Sequence, residues 1–141
     1  MHPVSTPTGP EYSLVVPIYD EEATIPELVR RLTELIGELD GEAEVILVDD
    51  GSRDRTYELM VEAARADPRI RLVKLSRNFG HQVAISAGLD HARGTAVIIL
   101  DSDLQDPPEV IAEFVARWRE GFQVVYGVRQ RRRGEHGSAG L

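Results

Sequence analysis

Short apolar runs alternate with longer stretches of helical periodicity along most of this chain. Tyr12 to Ile18 (YSLVVPI) is a continuous apolar run of a length that suits a buried strand. From Thr24 to Leu39 the apolar residues fall at Ile25, Leu28, Val29, Leu32, Leu35, Ile36 and Leu39, the spacing of one helix face. Thr24 and Glu27 are placed as a capping box at its start, and Gly41 follows as a stop. Ala43 to Val48 (AEVILV) predicts a second strand, and Asp54 to Ala66 a second helix with Asp54 as N-cap. Arg69 to Leu75 predicts a third strand, and Asn78 or Phe79 to Ala92 a third helix ending near Gly94. Thr95 to Leu100 predicts a fourth strand, Pro108 to Glu120 a fourth helix with Pro107 and Pro108 near its start, and Phe122 to Gly127 a fifth strand. Strands alternating with helices in this way imply right-handed βαβ units. The expected fold class is therefore α/β, an open, mostly parallel Rossmann-like sheet with helices on both faces. One domain is expected over residues 12–129. Residues 1–11, with three prolines and a glycine, read as a disordered lead-in, and 130–141 as a flexible tail.

Composition narrows the function. With 141 residues and 42% hydrophobic side chains, the chain is long and apolar enough for one real core. A net charge of −8 argues against a nucleic-acid partner, so an anionic ligand needs local help from a metal, a helix N-terminus or a few arginines. The absence of cysteine excludes disulfides, thiolate zinc sites and cysteine nucleophiles. No apolar run approaches the roughly 20 residues that span a bilayer, and the first residues have no apolar core of a signal peptide. A cytoplasmic location is the default expectation. No GxxxxGK[ST], GxGxxG or GxSxG segment is present, which weakens ATPase, dinucleotide oxidoreductase and serine hydrolase readings.

Polar residues cluster where the predicted strands end, and open parallel sheets bind ligands beyond those ends. Asp101-Ser102-Asp103 follows the fourth strand. Two carboxylates one residue apart can reach one hard cation, Mg²⁺ or Mn²⁺, with Gln105 as a further oxygen donor. Such an ion would neutralise a leaving nucleoside diphosphate. Alone, the triplet equally reads as a solvated acidic turn; a second acidic pair after the second strand, Asp49-Asp50-Gly51-Ser52, makes it a site. One of those aspartates is expected to face a base N–H or ribose hydroxyl and the other to fix the loop. Pro17 is expected to end the first strand, and Tyr19 offers a flat face to a base, with Glu21 in the same turn. Arg77 and Arg129 are the nearest cations for phosphate. His81 reads as a helix-surface residue. Acidic side chains from separate loops are expected to meet around the divalent ion.

Together, Val16-Pro17-Ile18-Tyr19-Asp20-Glu21-Glu22, Val48-Asp49-Asp50-Gly51-Ser52-Arg53-Asp54-Arg55-Thr56 and Asp101-Ser102-Asp103-Leu104-Gln105-Asp106-Pro107-Pro108 resemble the family 2 glycosyltransferases of the GT-A fold. Leu75-Ser76-Arg77-Asn78-Phe79-Gly80-His81-Gln82 and Tyr126-Gly127-Val128-Arg129 look like the polyprenyl-phosphate glycosyltransferases within it. The resemblance covers residues 12 to 135. It implies that Pro17, Tyr19, Glu21, Val48 and Asp50 hold the nucleoside. Asp101, Asp103 and Gln105 would hold the metal and diphosphate, Ser102 would contact the nucleotide through its backbone, and Arg129 would approach the donor or acceptor phosphate. Asp101, Asp103 and Arg129 thus carry the implied catalysis. The implied reaction moves a sugar from a UDP- or GDP-hexose to a polyprenyl phosphate, which suggests a peripheral position at the inner membrane face. Position 20 is Asp where the family usually has Asn. The family's acceptor-binding half normally follows the arginine at Arg129, so donor and metal binding with weak turnover is the expectation for these residues alone. The rivals are a nucleotide-sugar-binding unit without turnover and a Mg²⁺-binding signalling receiver domain. The receiver needs its acidic pair after the first strand and a lysine after the fifth, whereas the only lysine, Lys74, falls in the third.

Overall fold

The computed structural model describes residues 9–104 together with 111, 113 and 115–117. Seven elements alternate: β1 (Tyr12–Ile18), α1 (Ile25–Glu38), β2 (Ala43–Asp49), α2 (Thr56–Ala66), β3 (Ile70–Lys74), α3 (His81–His91) and β4 (Ala96–Ile99). The four strands form one parallel sheet in the order β3-β2-β1-β4. The order agrees with the first four strands of the Rossmann arrangement and not with the 2-1-3 order of receiver domains. The expected fifth strand lies outside the described residues. Of the expected fourth helix, the described residues are helical, and Ile111 and Val115 are buried in the core.

Both faces of the sheet are covered, because every strand in its middle is apolar in both directions. Leu14, Val16 and Ile18 of β1 and Val45 and Leu47 of β2 face the side covered by α1 and α2, where Leu28, Leu32, Ile36 and Met60 complete the larger core. Val15, Ile46 and Val48 face α3 and pack on Ala84. Gly88 lets α3 lie close, since a Cβ there would stand 2.4 Å from Val15 Cγ1.

The chain works outward from β1 in one direction through β2 and β3, then returns on α3 to place β4 on the other side. The gap between the carboxyl ends of β1 and β4 is therefore the topological switch point, where open α/β sheets bind ligands. Pro17 widens it. The Val15 carbonyl accepts from Leu100 N and the Ile18 carbonyl from Asp50 N, so odd positions of β1 bond toward β4 and even ones toward β2. The missing N–H of Pro17 thus falls on the β4 side. The β1–β4 register ends at Val15↔Ile99, while β1–β2 pairing runs on to Ile18↔Asp49. Pro17 does not end β1, as the sequence suggests; it ends the ladder to β4 and releases that strand into the loop at Asp101.

Three helix starts also differ from expectation. The capping box does not form. The Thr24 hydroxyl turns back to the Glu21 carbonyl and carboxylate, and Glu27 pairs with Arg30. The third helix begins at His81 rather than Asn78 or Phe79, because the Phe79 and Gly80 N–H groups are taken by Asp50 and Gly80 adopts φ 107°. The second helix begins at Thr56 with Arg55, not Asp54, at the N-cap; Asp54 lies one residue earlier, where its carboxylate accepts from Thr56 N at 2.9 Å. At the opposite end of the sheet, the 3%-exposed Glu44 carboxylate pins the turn after α3. It accepts from Ser13 Oγ at 2.6 Å, Arg93 N at 2.8 Å and Arg71 Nη1 at 2.8 Å, and pairs with the Arg93 guanidinium. Residues 1–8 and 130–141 lie outside the described residues; Glu11 joins the sheet, bonding Glu42 and Ala96.

Candidate functional site

The carboxyl edge of the sheet is assembled from four loops. Those after β1 and β2 clasp one another through side chains that are polar and short. Ser52 Oγ accepts from Asp20 N at 2.8 Å, and Asp20 Oδ1 accepts from Arg53 N at 2.7 Å. Thr56 Oγ1 accepts from Glu21 N at 2.8 Å, and Glu22 Oε1 accepts from Arg55 N at 2.8 Å. Asp20 adopts φ 48°, a conformation that aspartate tolerates better than most residues.

The loop after β2 is locked to the loop after β3 by the second aspartate. Asp50 is 5% exposed, and its carboxylate accepts from Phe79 N at 2.8 Å, Asn78 Nδ2 at 3.1 Å and Gly80 N at 3.2 Å. Gly51 makes this approach feasible: it has φ 76°, and a Cβ would stand 2.2 Å from the Arg77 carbonyl carbon. Of the two aspartates, Asp50 is thus the one that fixes a loop, with room left for one further donor. Asp49 is fully buried. Its Oδ1 accepts from Ser52 N, while Oδ2 is, among the described residues, the buried side-chain oxygen without a hydrogen-bond partner. A buried acceptor of this kind calls for a donor from water or a ligand. Arg77, exposed, stacks its guanidinium over the Phe79 ring at 4.0 Å.

Across the switch point, Asp101 is half-buried and Asp103 exposed, on a turn closed by Leu104 N donating to the Asp101 carbonyl at 3.1 Å. Leu104, at φ 46°, is buried in the core and anchors the turn. Ser102 Oγ donates to Glu21 Oε2 at 2.6 Å, joining this turn to the loop after β1.

Several expectations change here. Val48 is fully buried among Val15, Ile46 and Ala84, so its side chain is core rather than ligand surface. Pro17 is likewise buried, whereas Tyr19 is half-exposed at the edge. Glu21 is engaged with Ser102 and Thr24. The acidic loops do not converge on one ion: β1 separates Asp50 from the Asp101/Asp103 turn, two strand spacings or roughly 10 Å. Among the described residues no group of three or more histidine or acidic side chains is arranged to hold a metal. Asp101 and Asp103 carry hard carboxylate oxygens, the donor type that Mg²⁺ or Mn²⁺ takes. Gln105 and Arg129 lie outside the described residues. Sequence reasoning missed the Glu21–Ser102 bond, which no motif encodes. The residues alone left open which aspartate of the pair fixes the loop, and the resemblance gave Asp50 to the nucleoside, whereas the Asp50 carboxylate is held by the loop after β3.

Known proteins agree with this geometry. The chain is 49% identical over 125 residues to an uncharacterized glycosyltransferase, YkcC, of Bacillus subtilis, covering 89% of this chain and 39% of that protein. It is 48% identical over 121 residues to the undecaprenyl-phosphate 4-deoxy-4-formamido-L-arabinose transferase of Salmonella choleraesuis, covering 85% and 37%. The chain therefore spans less than two fifths of the length of these relatives. Among solved structures, the mannosyltransferase PcManGT of Pyrobaculum calidifontis, in complex with GDP-Man and Mn²⁺, superposes with a TM-score of 0.60 at 30% identity, covering 77% of this chain and 32% of that one. Glucosyl-3-phosphoglycerate synthase of Mycobacterium tuberculosis, in complex with Mn²⁺, UDP and glucosyl-3-phosphoglycerate, superposes with a TM-score of 0.60 at 28% identity, covering 78% and 40%. The pattern of glycosyl transferase family 2 matches residues 13–140. Because this match spans most of the chain, the chain belongs to glycosyl transferase family 2.

Proposed function

We propose that this chain supplies the donor site of a glycosyltransferase that moves a hexose from UDP or GDP to a polyprenyl phosphate. The observation that carries the reading is the position of Asp101 and Asp103 on a turn at the switch point between β1 and β4. Two structural neighbours named with Mn²⁺ and a nucleotide or nucleotide sugar, and a relative named for undecaprenyl phosphate, support it. In this reading the nucleoside lies along the loops after β1 and β2, with Tyr19 against the base and the remaining acceptor position of Asp50 taken by a base N–H or ribose hydroxyl. The backbone at Ser102 borders the nucleotide. Asp101 and Asp103, with Gln105, would hold Mg²⁺ or Mn²⁺, which when bound neutralises charge on the departing diphosphate. Arg129 supplies a cation to the donor or acceptor phosphate.

Transfer forms a bond between an acceptor phosphate oxygen and the anomeric carbon. The bond from that carbon to the donor's β-phosphate oxygen breaks, and the nucleoside diphosphate leaves with the electron pair. The attacking oxygen is already ionised at neutral pH, so the chain needs no strong general base; its task is orientation and charge stabilisation. A polyprenyl acceptor resides in a bilayer, which favours a peripheral position at the cytoplasmic membrane face. Among the described residues no helix is long and apolar enough to cross a membrane.

The test is a thermal-unfolding panel of UDP, GDP and their hexose conjugates, with and without Mn²⁺. A ligand of the folded state raises Tm, by roughly 2.7 kcal/mol of stability at a hundred times Kd. At least one nucleotide is expected to do so more strongly with Mn²⁺, and Asp101→Ala and Asp103→Ala are expected to lose that increment. A flat panel, with both variants behaving like the parent, would refute the reading.

A further inference from the structure

The Glu21–Ser102 hydrogen bond is a side-chain link across the switch point, and neither partner belongs to the buried core. It ends a continuous series. Thr56, fully buried, donates its hydroxyl to Asp54 Oδ1 at 2.5 Å and accepts from Glu21 N at 2.8 Å. Glu21 in turn accepts from Thr24 Oγ1 at 3.1 Å on Oε1 and from Ser102 Oγ at 2.6 Å on Oε2. The start of α2, the loop after β1 and the turn after β4 are thus joined by side chains whose donors and acceptors match.

That series meets the acidic turn at the residue between its two carboxylates. Leu104, buried, fixes one end of the turn through its own side chain and its bond to the Asp101 carbonyl. Ser102 is the other fixed point. With both held, the backbone carrying Asp101 and Asp103 has little freedom to pivot, although Asp103 itself is exposed. We infer that Ser102 and Glu21 are positioning residues: their hydrogen bond orients the Asp101/Asp103 turn for a divalent cation and ties that orientation to the loop that borders the nucleoside. The inference rests on the donor-site reading above. It adds that the cation side and the nucleoside side are mechanically coupled through one hydroxyl. Outer hydrogen bonds of this type typically change metal affinity about 10–100-fold.

Ser102→Ala removes the hydroxyl without changing the backbone; Ser102→Thr keeps it. Two readouts separate positioning from mere packing. Amide hydrogen exchange on the metal-free chain is expected to quicken about tenfold or more at residues 102–104 in Ser102→Ala, as befits loss of a hydrogen bond to a charged group, and to stay near the parent in Ser102→Thr. Free Mn²⁺, followed by electron paramagnetic resonance in the presence of UDP and then of GDP, is expected to show roughly tenfold or greater weakening in Ser102→Ala, restored in Ser102→Thr. Parental Mn²⁺ affinity in Ser102→Ala, with or without faster exchange, would overturn the coupling while leaving the donor site standing. A parent that binds no Mn²⁺ with either nucleotide would overturn both.

Discussion

At the scale of single residues, the two neighbouring aspartates after β2 have opposite fates. Asp50 spends its charge inside the protein, on three donors from residues 78–80, and so makes one rigid wall from two loops. Asp49 keeps an unpaired oxygen sealed at the strand end. Asp50→Ala strands the Phe79 and Gly80 N–H groups and frees the loop that carries the Arg77–Phe79 stack. Charge-assisted hydrogen bonds contribute about 1.5–3 kcal/mol each and the loop is partly resolvated, so the expected loss is roughly 2–4 kcal/mol in urea unfolding. A loss below about 0.5 kcal/mol would contradict the role. The sequence showed that both aspartates stand at a strand end. The resemblance gave Asp50 to the nucleoside and did not show its hold on the loop, because that depends on Asn78, Phe79 and Gly80, which belong to another loop and are brought near by the β2–β3 pairing.

At the scale of elements, the sheet is pinned at one end and open at the other. Glu44 holds the pinned end. Burial raises its pKa, but hydrogen bonds from Ser13, the Arg93 backbone, Arg71 and the Arg93 side chain outweigh that, and the net direction is downward from 4.5. A folded pKa below the unfolded one means the ionised group contributes stability that is fully present above about 4.5 and is lost as pH falls through the lower folded value. As pH falls below about 4.5, the parent is therefore expected to lose Tm more steeply than Glu44→Gln. Near neutrality that variant is expected to be about 2 kcal/mol less stable. The figure lies below the ~3–5 kcal/mol of a fully buried pair, because Arg93 is 57% exposed. Identical slopes on acidification would contradict the assignment. Element identity was legible from periodicity because the strands are apolar on both sides and the helices on one. Element ends were less so. The α3 start, the absent capping box and the reach of β1 past Pro17 were each decided by a partner distant in sequence. Pro17 is the instructive one: a residue without an N–H can sit in a central strand where its bonding direction marks the end of one neighbouring ladder while the other ladder runs on.

For the molecule as a whole, topology bears on how so acidic a chain could take the diphosphate that the proposed function requires. The net charge of −8 repels an anion at large. The switch point offers backbone ends and the Asp101/Asp103 carboxylates, and in the proposed reading it separates a nucleoside side from a cation side. The sequence motifs located all of these loops, and the expectation that their carboxylates converge on one ion failed because β1 lies between β2 and β4. The central claim is that a nucleotide and a divalent ion occupy this crevice. Paramagnetic broadening of amide signals by substoichiometric Mn²⁺, with UDP or GDP present, tests it most directly. Broadening is predicted to centre on Tyr19–Glu21 and Asp101–Leu104 and to spare Glu44, Arg71 and Arg93 at the opposite end of the sheet. Broadening centred on that opposite end, or none at any nucleotide concentration, would contradict it.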